Sequence, residues 1–145
     1  MKVKSSQGGM VSVEVKGLAE TIAFIRRKGK DIQVGSDLGT LKAANFVSQE
    51  VQESIIGNRP EPKSVATGRF ANSITTDKIK DSEYKVYVEK SDYPEQPGTT
   101  TSEVALKLEY GTSKIAPRMH FRNSAYRSQN KAKEIINQEI QRKIK

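Results

Sequence analysis

Two short segments of the chain alternate between hydrophobic and polar positions, as a strand with one buried face does. In residues 11–15 every second residue is a valine. In residues 84–89 the side chains of Tyr84, Val86 and Val88 share one side of an extended chain. β-Branched and aromatic residues are the types that strands favour. The sequence therefore predicts one strand in each segment.

Hydrophobic residues spaced three or four apart predict three helices. The stripe of a short first helix is Leu18, Ile22 and Ile25, and that of a long second helix is Leu38, Leu41, Ala44, Val47, Val51 and Ile55. Ser36 or Asp37 is expected to cap the long helix, and Gly57 is expected to end it. The last helix is expected to begin near Asn123 or Ser124. Its buried stripe is Ala125, Ala132, Ile136, Ile140 and Ile144.

The segments between these elements differ in how clearly their pattern predicts a structure. Residues 91–102 contain two prolines, a glycine and three consecutive threonines, so we expect a long polar loop. A loop of this length is usually functional or ordered by a partner. Residues 104–110 fit both the helical and the strand period, and we favour a helix. Residues 118–122 are expected to be extended.

This order of elements predicts an α+β domain. A small antiparallel sheet would pack against the long helix and the C-terminal helix, with residues 1–145 forming a single domain. Hydrophobic residues make up 34% of the chain and Trp is absent, so the core is expected to be small and mostly aliphatic. A thin core of this kind benefits from contacts with further copies of the chain.

The positive charge is concentrated in the last quarter of the chain. The net charge is +8, and residues 114–145 contain nine Lys or Arg against Glu134 and Glu139. A basic helix over residues 124–145 can meet nucleic acid or an acidic protein surface, and charge alone does not choose between them. Tyr126 is the only aromatic residue in this helix, so the stacking platform of a single-strand binder is missing.

The chain contains no cysteine, which excludes disulfides and thiolate chemistry. Its first 15 residues contain no apolar stretch of the signal-peptide type, and no run is long enough to span a bilayer. We therefore expect a soluble protein, assembled inside a cell and without a membrane partner.

Residues with the chemistry of a catalytic site are few. His120 is the only histidine, and Glu109, Ser113 and Ser124 lie near it in sequence, but no Gly-x-Ser-x-Gly elbow supports a hydrolase triad. Residues 111–114 contain a glycine, two hydroxyl groups and a lysine, without the upstream glycine of a phosphate loop. The residue types of a zinc or calcium site are not clustered either. We predict no catalytic residue, no cofactor and no metal, and expect His120 to be a packed or surface residue.

Two segments of the chain, in this order, resemble the signatures of one protein family. The first is Thr67-Gly68-Arg69-Phe70-Ala71-Asn72-Ser73-Ile74, which resembles Thr-Gly-x-Leu-Arg-x-Ser-Ile. The second is Leu108-Glu109-Tyr110-Gly111-Thr112 followed by Pro117-Arg118-Met119-His120-Phe121-Arg122, which resembles Glu-Phe-Gly-Thr and Ala-Arg-Pro-Phe-Leu-Arg-Pro-Ala. The family is that of the tail-completion (minor tail, head-tail joining) proteins of long-tailed bacteriophages. The order of elements agrees along nearly the whole chain.

The residues of both motifs are interpreted as structural. Gly68 and Gly111 permit backbone geometry that a Cβ would hinder, and Thr67 is expected to cap a helical turn that buries Phe70 and Ile74. The carboxylate of Glu109 is expected to pair with Arg118 or Arg122. The predicted structural and interface set is Thr67, Gly68, Phe70, Ser73, Ile74, Glu109, Tyr110, Gly111, Thr112, Pro117, Arg118, Phe121 and Arg122. The chain departs from the signatures at Ala71, at Met119-His120 and at Asn123-Ser124.

The resemblance implies a structural, non-enzymatic virion protein that is assembled in the host cytoplasm. Its copies would form a homo-oligomeric ring at the neck or upper end of the tail, which completes the tail and helps to join it to the head. Tail-terminator, head-closure or tail-tube proteins would be its neighbours. The loop 91–102 and the basic helix 124–145 are expected to make contacts between subunits or rings. A tail-terminator ring is one alternative, and a basic nucleic-acid-binding protein is another; a ring subunit itself would meet DNA only non-specifically.

Overall fold

The structure is a computed structural model that describes residues 2–6, 10–16, 29–64 and 68–144. Its elements are β1 (Lys2–Ser6), β2 (Met10–Lys16), α1 (Lys30–Ile56), α2 (Arg69–Asn72), β3 (Ile74–Lys80), β4 (Glu83–Val88), α3 (Thr101–Tyr110) and α4 (His120–Ile144). This is the expected α+β architecture, a small antiparallel sheet with a long helix and a C-terminal helix. The predicted first helix, at Leu18 to Ile25, lies outside the described residues.

The sheet has four antiparallel strands in the order β1-β2-β4-β3. Val13 pairs with Val86 across the two central strands, and Val11, Val13 and Val15 are all at most 1% exposed. Tyr84, Val86 and Val88 are buried on the same side, as their alternation in sequence requires. Both strand predictions are confirmed, and these residues form the sheet's contribution to the core.

The two outer strands, β1 and β3, were not predicted. In β3 only Ile74 is buried, and residues 77–80 are exposed. An edge strand of this kind carries polar or charged residues along most of its length, so its sequence lacks the alternation of a half-buried strand. β1 contains a single hydrophobic residue, Val3, and gives equally little signal.

Helix α1 begins at Lys30, eight residues before Leu38, the first residue of the hydrophobic stripe. The expected cap residues are therefore inside the helix. Ser36 is buried and its hydroxyl lies 2.9 Å from that of Ser82, while the Asp37 carboxylate accepts hydrogen bonds from the Ser82 N–H at 2.8 Å and the Tyr84 hydroxyl at 3.0 Å. The prediction failed because the first two turns bury small and polar residues in place of aliphatic ones. The end of α1 is confirmed, since Gly57 adopts a left-handed conformation there with φ 98°.

Helices α1 and α4 pack against each other along their length and run in opposite directions. Near the start of α1, Gly39 faces α4 so closely that an added Cβ would lie 2.9 Å from the Ile136 Cα. Near its end, Ser54 contacts His120 at the start of α4. The buried residues of α1, which packs on the sheet as well as on α4, include Gly35, Gly39, Thr40, Ala43, Ala44, Val47, Val51 and Ser54.

Helix α4 begins at His120, so residues 120–122, expected to be extended, are helical. Four residues of its predicted stripe are buried, namely Ala125, Ala132, Ile136 and Ile140, but Ile144 is 56% exposed. The stripe prediction is therefore wrong for its last residue, because Ile144 lies in the final turn of the helix, beyond the positions buried against α1.

The ambiguous segment 104–110 is helical, as favoured, and belongs to α3. The loop before it is shorter than expected, because Thr101 and Ser102 form the first turn of α3. Thr101 closes the base of this loop: its hydroxyl donates to the Glu89 carbonyl at 2.7 Å and accepts from the Ser91 N–H at 2.9 Å. Thr100 caps the helix by accepting from the Glu103 N–H.

Candidate functional site

The two motif segments meet in the folded chain. The rings of Phe70 and His120 pack edge to face with their centroids 6.5 Å apart. Around this contact Phe70, Ser73 and Ile74 are buried, and the Ser73 carbonyl accepts from the Glu89 N–H at 2.8 Å, which joins the end of β4 to α2. Gly68 precedes α2 in a left-handed conformation with φ 82°. Thr67, expected to cap this turn, lies outside the described residues.

Glu109 caps the last helix through the backbone. Its two carboxylate oxygens accept hydrogen bonds from the N–H groups of Phe121 at 2.8 Å and Arg122 at 2.9 Å. These are free donors of the first turn of α4, where the helix dipole also favours a negative charge. The predicted pairing of Glu109 with an arginine guanidinium is therefore replaced by a bond to the helix terminus. Burial raises the pKa of this carboxyl, although both N–H groups act in the opposite direction.

The turn between α3 and α4 depends on Gly111. Its φ is +78°, and a Cβ there would lie 2.8 Å from both the Ile115 carbonyl oxygen and Pro117 Cδ. Thr112 then closes the turn, because its hydroxyl accepts from the N–H groups of Lys114 and Ile115, each at 3.1 Å. The N–H groups of Lys114 and Ile115 are thus used within the turn, whereas a phosphate loop directs its N–H groups at the phosphate.

Pro117 and Arg118 follow this turn. The Arg118 N–H donates to the Leu108 carbonyl at 2.7 Å, and its guanidinium donates to the Lys63 carbonyl and to the Ser64 hydroxyl, each at 2.7 Å. Arg118 thereby ties the chain before α4 both to α3 and to the segment after α1. Tyr110 is 43% exposed, and the Arg122 side chain is exposed.

His120 is 1% exposed and both of its ring nitrogens are hydrogen-bonded. Nδ1 lies 2.7 Å from the Ser54 hydroxyl and Nε2 lies 2.7 Å from the Ser64 hydroxyl. Ser54 in turn donates to a Glu61 carboxylate oxygen at 2.6 Å. Because a carboxylate only accepts, Ser54 gives its one hydroxyl hydrogen to Glu61 and must accept from His120 Nδ1–H, which leaves Nε2 of the neutral ring to accept from Ser64. A chain of donors therefore runs in one direction from Arg118 through Ser64, His120 and Ser54 to Glu61.

Glu61 is the centre of a second group of charges. The two outer nitrogens of Arg127 donate to its two oxygens, each at 2.8 Å, and Arg127 Nε lies 4.0 Å from Glu50. Glu50 forms a paired contact with Arg59, at 2.8 Å from both Nε and Nη2. The Arg127 and Ser54 hydrogen bonds lower the pKa of Glu61 against the opposing effect of its burial. Hydrogen bonding to Arg59 lowers the pKa of Glu50.

The Ser64–His120 contact has the distance of a nucleophile and its general base, but the surroundings do not suit that chemistry. The nearby carboxylate, that of Glu61, accepts its hydrogen bond from Ser54 and not from the imidazole. Burial, reinforced by the charges of Arg118 and Arg127, lowers the pKa of His120 to about 4, although the Glu61 carboxylate acts in the opposite direction. A base that weak takes a serine proton poorly at neutral pH. The arrangement fits a fixed hydrogen-bond chain that locks the segment 59–64 onto α4.

The residues that surround His120 were not found from the sequence. Ser113, Ser124 and Glu109 were its candidate partners, whereas Ser54 and Ser64 are 66 and 56 residues away from it. No local pattern marks a hydrogen bond over such a separation. The one available signal was a lone histidine in a segment expected to be extended, and the structure places it in the first turn of α4, packed and fully bonded.

A cavity of about 340 Å³ lies beside this junction, with Ser64 in its wall. Phe70, Ala71 and Val104 give it an apolar lining, and Tyr93 and Glu95 reach it from the loop before α3. The cavity is therefore bounded partly by the first motif and partly by the long loop.

Half of the cations in α4 are already paired. Arg127 binds Glu61, Lys131 lies 3.6 Å from Glu134, and Arg142 lies 2.9 Å from Glu139. In the part of the chain that the structure describes, no such pair forms at Arg122, Lys133 or Lys143. The basic character of the helix is therefore reduced to a few separate side chains, as expected of a mainly solvated face.

The chain matches no family model, no curated protein and no solved structure. Within the described residues, no three His, Asp or Glu side chains are grouped closely enough to hold a metal ion. Among the helices so described, none is both long and apolar enough to cross a membrane.

Proposed function

We propose that this protein is a structural subunit of a long-tailed phage virion, which forms a ring at the neck or upper end of the tail and helps to complete the tail and join it to the head. Its partners would be further copies of itself and the adjoining neck and tail proteins. The motif resemblance gives the proposal its family, and the geometry of the motif residues supports a structural role.

The observation that carries the proposal is the use made of the polar motif residues. Glu109 binds the N-terminus of α4, Arg118 binds the Lys63 carbonyl and Ser64, and Thr112 closes a turn. Each of these groups is engaged with the backbone of another segment or of its own turn. A residue that binds or attacks a substrate must also present a polar atom to an accessible space, whereas these side chains direct theirs at neighbouring segments of the chain, so this pattern favours a scaffold.

The test is the location of the chain in particles of the phage that encodes it. An epitope placed after Lys145 and labelled with gold-conjugated antibody should mark the head-tail junction of purified particles. Loss of the gene should yield filled heads and tails that remain separate, and supplying the wild-type protein should rejoin them. Mature infectious particles that contain none of this chain would refute the proposal.

A nucleic-acid-binding function is the rival from another class, and salt separates the two. Binding through several phosphates weakens steeply with added salt, by about tenfold or more between low and physiological ionic strength. With half of the α4 cations paired to carboxylates, we expect weak retention on DNA that is lost at moderate salt. Tight, salt-resistant or sequence-selective binding would favour the rival.

A further inference from the structure

The segment 89–103, which contains the loop before α3, is acidic and exposed. It carries Glu89, Asp92, Glu95 and Glu103 against the single cation Lys90. All four carboxylates lie on the surface, and none of them forms an ion pair within the described ranges. We call residues 89–103 the acidic segment. The guanidinium of Arg69 lies beside the segment, 6.0 Å from the Tyr93 ring centroid. An exposed group of carboxylates that outnumbers its nearby cations is suited to meet a surface of the opposite sign.

The acidic segment has a defined shape. The Tyr93 N–H donates to the Thr99 carbonyl at 3.0 Å, and the Thr99 N–H donates to the Gln96 carbonyl at 3.0 Å. Asp92 and Thr100 form a bridge across its base. Because its own backbone bonds hold it, the segment presents its side chains and the adjoining cavity without a large ordering cost on binding.

The outward side of α4 has the complementary chemistry. Tyr126 is 77% exposed, more than any other large hydrophobic side chain in the described residues. Arg122 lies one turn before it and Lys133 two turns after it, so the three share one side of the helix. In the part of the chain that the structure describes, neither side chain forms an ion pair, and the Arg122 charge also acts on the Glu109 carboxylate at the start of the helix. An exposed aromatic ring between two cations is typical of the centre of a protein interface.

We propose that the outward side of α4 in one copy of the chain docks on the acidic segment of the next copy, with Tyr126 entering the cavity beside Phe70 and Val104. This inference rests on the proposed ring function and names the contact that would build the ring. Two different surfaces of the same chain meet in it, which is the heterologous contact that a closed ring of identical subunits requires. Arg122 and Lys133 then face the carboxylates around Glu95.

Cross-linking tests the contact directly, because the natural chain has no cysteine. Chains carrying Gln96→Cys, next to Glu95, and chains carrying Asn130→Cys, one turn after Tyr126, are given different tags, mixed and treated with a short bis-maleimide; both positions are exposed and both contact residues stay in place. We expect a mixed-tag dimer at least about tenfold above the level from either variant alone. The matched control mixes Asn130→Cys with Asp31→Cys, an exposed position outside the proposed contact, and should stay at background. A mixture of Gln96→Cys and Asn130→Cys that does not exceed this control overturns the inference, whether the chain is oligomeric or monomeric.

Charge reversal gives an independent measurement. Glu95→Lys and Arg122→Glu should each weaken self-association by about tenfold, which corresponds to the loss of one interfacial charge pair. The double variant should recover most of that loss, and Asp31→Lys should have no effect. Circular dichroism should be unchanged, since both side chains are exposed. No recovery in the double variant would contradict the proposed pairing.

The two proposals fail in different ways. If gold label marks the head-tail junction but the cross-link is absent, the proposed function stands and this contact is wrong. If the cross-link forms but mature particles lack the chain, the self-association is real and the virion role is wrong.

Discussion

The two ends of the α1–α4 helix pair are held together by different interactions. At the glycine end, Gly35 and Gly39 of α1 lie against Ile136 and Ile140 of α4, and the helices approach closely because no side chain separates them. At the polar end, buried hydrogen bonds and ion pairs join Ser54 and Glu61 to His120 and Arg127.

The two ends should therefore respond differently to change. The glycine end depends on shape, so it should be sensitive to added volume and insensitive to pH. The polar end depends on a complete set of partners in the right protonation state, so it should be sensitive to the loss of one charge and to acid. The following measurements test this difference, beginning with the largest expected effect.

Replacing Glu61 with glutamine should have the largest effect. Glu61 is 7% exposed and accepts hydrogen bonds from both outer nitrogens of the Arg127 guanidinium. Its loss therefore leaves Arg127 without its main counter-charge. We expect the free energy of unfolding to fall by about 3 to 4 kcal/mol, measured by urea denaturation. Glu134→Gln is the matched control, because the Lys131–Glu134 pair is about half exposed and should contribute about 0.5 kcal/mol or less. Equal losses in the two variants would show that the Glu61 network stabilises the fold no more than an exposed ion pair does.

Gly39→Val should break the glycine end. A Cβ at this position would lie 2.9 Å from the Ile136 Cα and 3.1 Å from its carbonyl oxygen, so the backbones must separate. We expect a loss of about 3 kcal/mol in the free energy of unfolding. Asn45→Val is the control, at an exposed position of the same helix where the intrinsic helix propensities are similar. A thermal shift at Gly39 no larger than at Asn45 would mean that the close approach is unimportant.

His120 should make stability depend on pH at the polar end. Its pKa in the folded chain is lowered to about 4 from an ordinary value of 6.5, with burial as the main cause. Because folding lowers the pKa of His120, protonation favours the unfolded chain. The stabilisation that the neutral imidazole gives is therefore complete above pH 6.5 and is lost as the pH falls towards 4. We expect that loss to be about 2 to 3 kcal/mol.

The measurement is the difference between wild type and His120→Gln in unfolding free energy from pH 7 to pH 4. Glutamine does not titrate, so the difference isolates the histidine from Glu109 and the other carboxyls. The difference in unfolding free energy between wild type and His120→Gln should change steadily between pH 7 and pH 4. Gly39→Val, at the glycine end, should give a constant difference. A flat His120→Gln difference would mean that the imidazole titrates in the folded chain as it does in the unfolded one.

Ser128→Ala should give the smallest change, and in the opposite direction. The Ser128 hydroxyl is buried in α4 between the two ends and has no hydrogen-bond partner in the described part of the chain. Removing it abolishes a desolvation cost and improves helix propensity, so we expect stabilisation of about 1 kcal/mol. Ser124→Ala is the comparison, since the Ser124 hydroxyl has Arg127 within 3.5 Å and should lose rather than gain stability. Destabilisation at Ser128 would indicate that its hydroxyl is satisfied in solution.

How far the sequence predicts this fold depends on how each element is buried. The valine strand β2 and the strand β4 could be predicted because each buries one face completely, which forces alternation. The outer strand β3 could not, because its exposed side chains follow no period. The first two turns of α1 were missed for a related reason: the residues buried there, Gly35 and Ser36, are small or polar, so hydrophobicity does not mark them.

The candidate site was predicted only in part. The motif residues could be named because they are close in sequence, and Gly111 has the positive φ that its position suggested. Of the two arginines predicted to pair with Glu109, Arg122 does bind it, but through the backbone N–H and not the guanidinium, because a carboxylate near two arginines gives no sign that it will cap a helix. The start of α4 was wrong for the same reason, because its cap comes from α3 and not from the residues just before the helix.

By itself the sequence determined the α+β class, the two central strands, the end of α1 at Gly57 and the stripe of α4 as far as Ile140. These follow from local periods and from glycine geometry, which depend on neighbouring residues alone. Only the tertiary structure decided that Glu109 caps α4, that His120 connects Ser64 to Ser54, and that Glu61 holds Arg127. Those contacts join residues far apart in the chain, and which polar groups meet is set by the packing of whole helices.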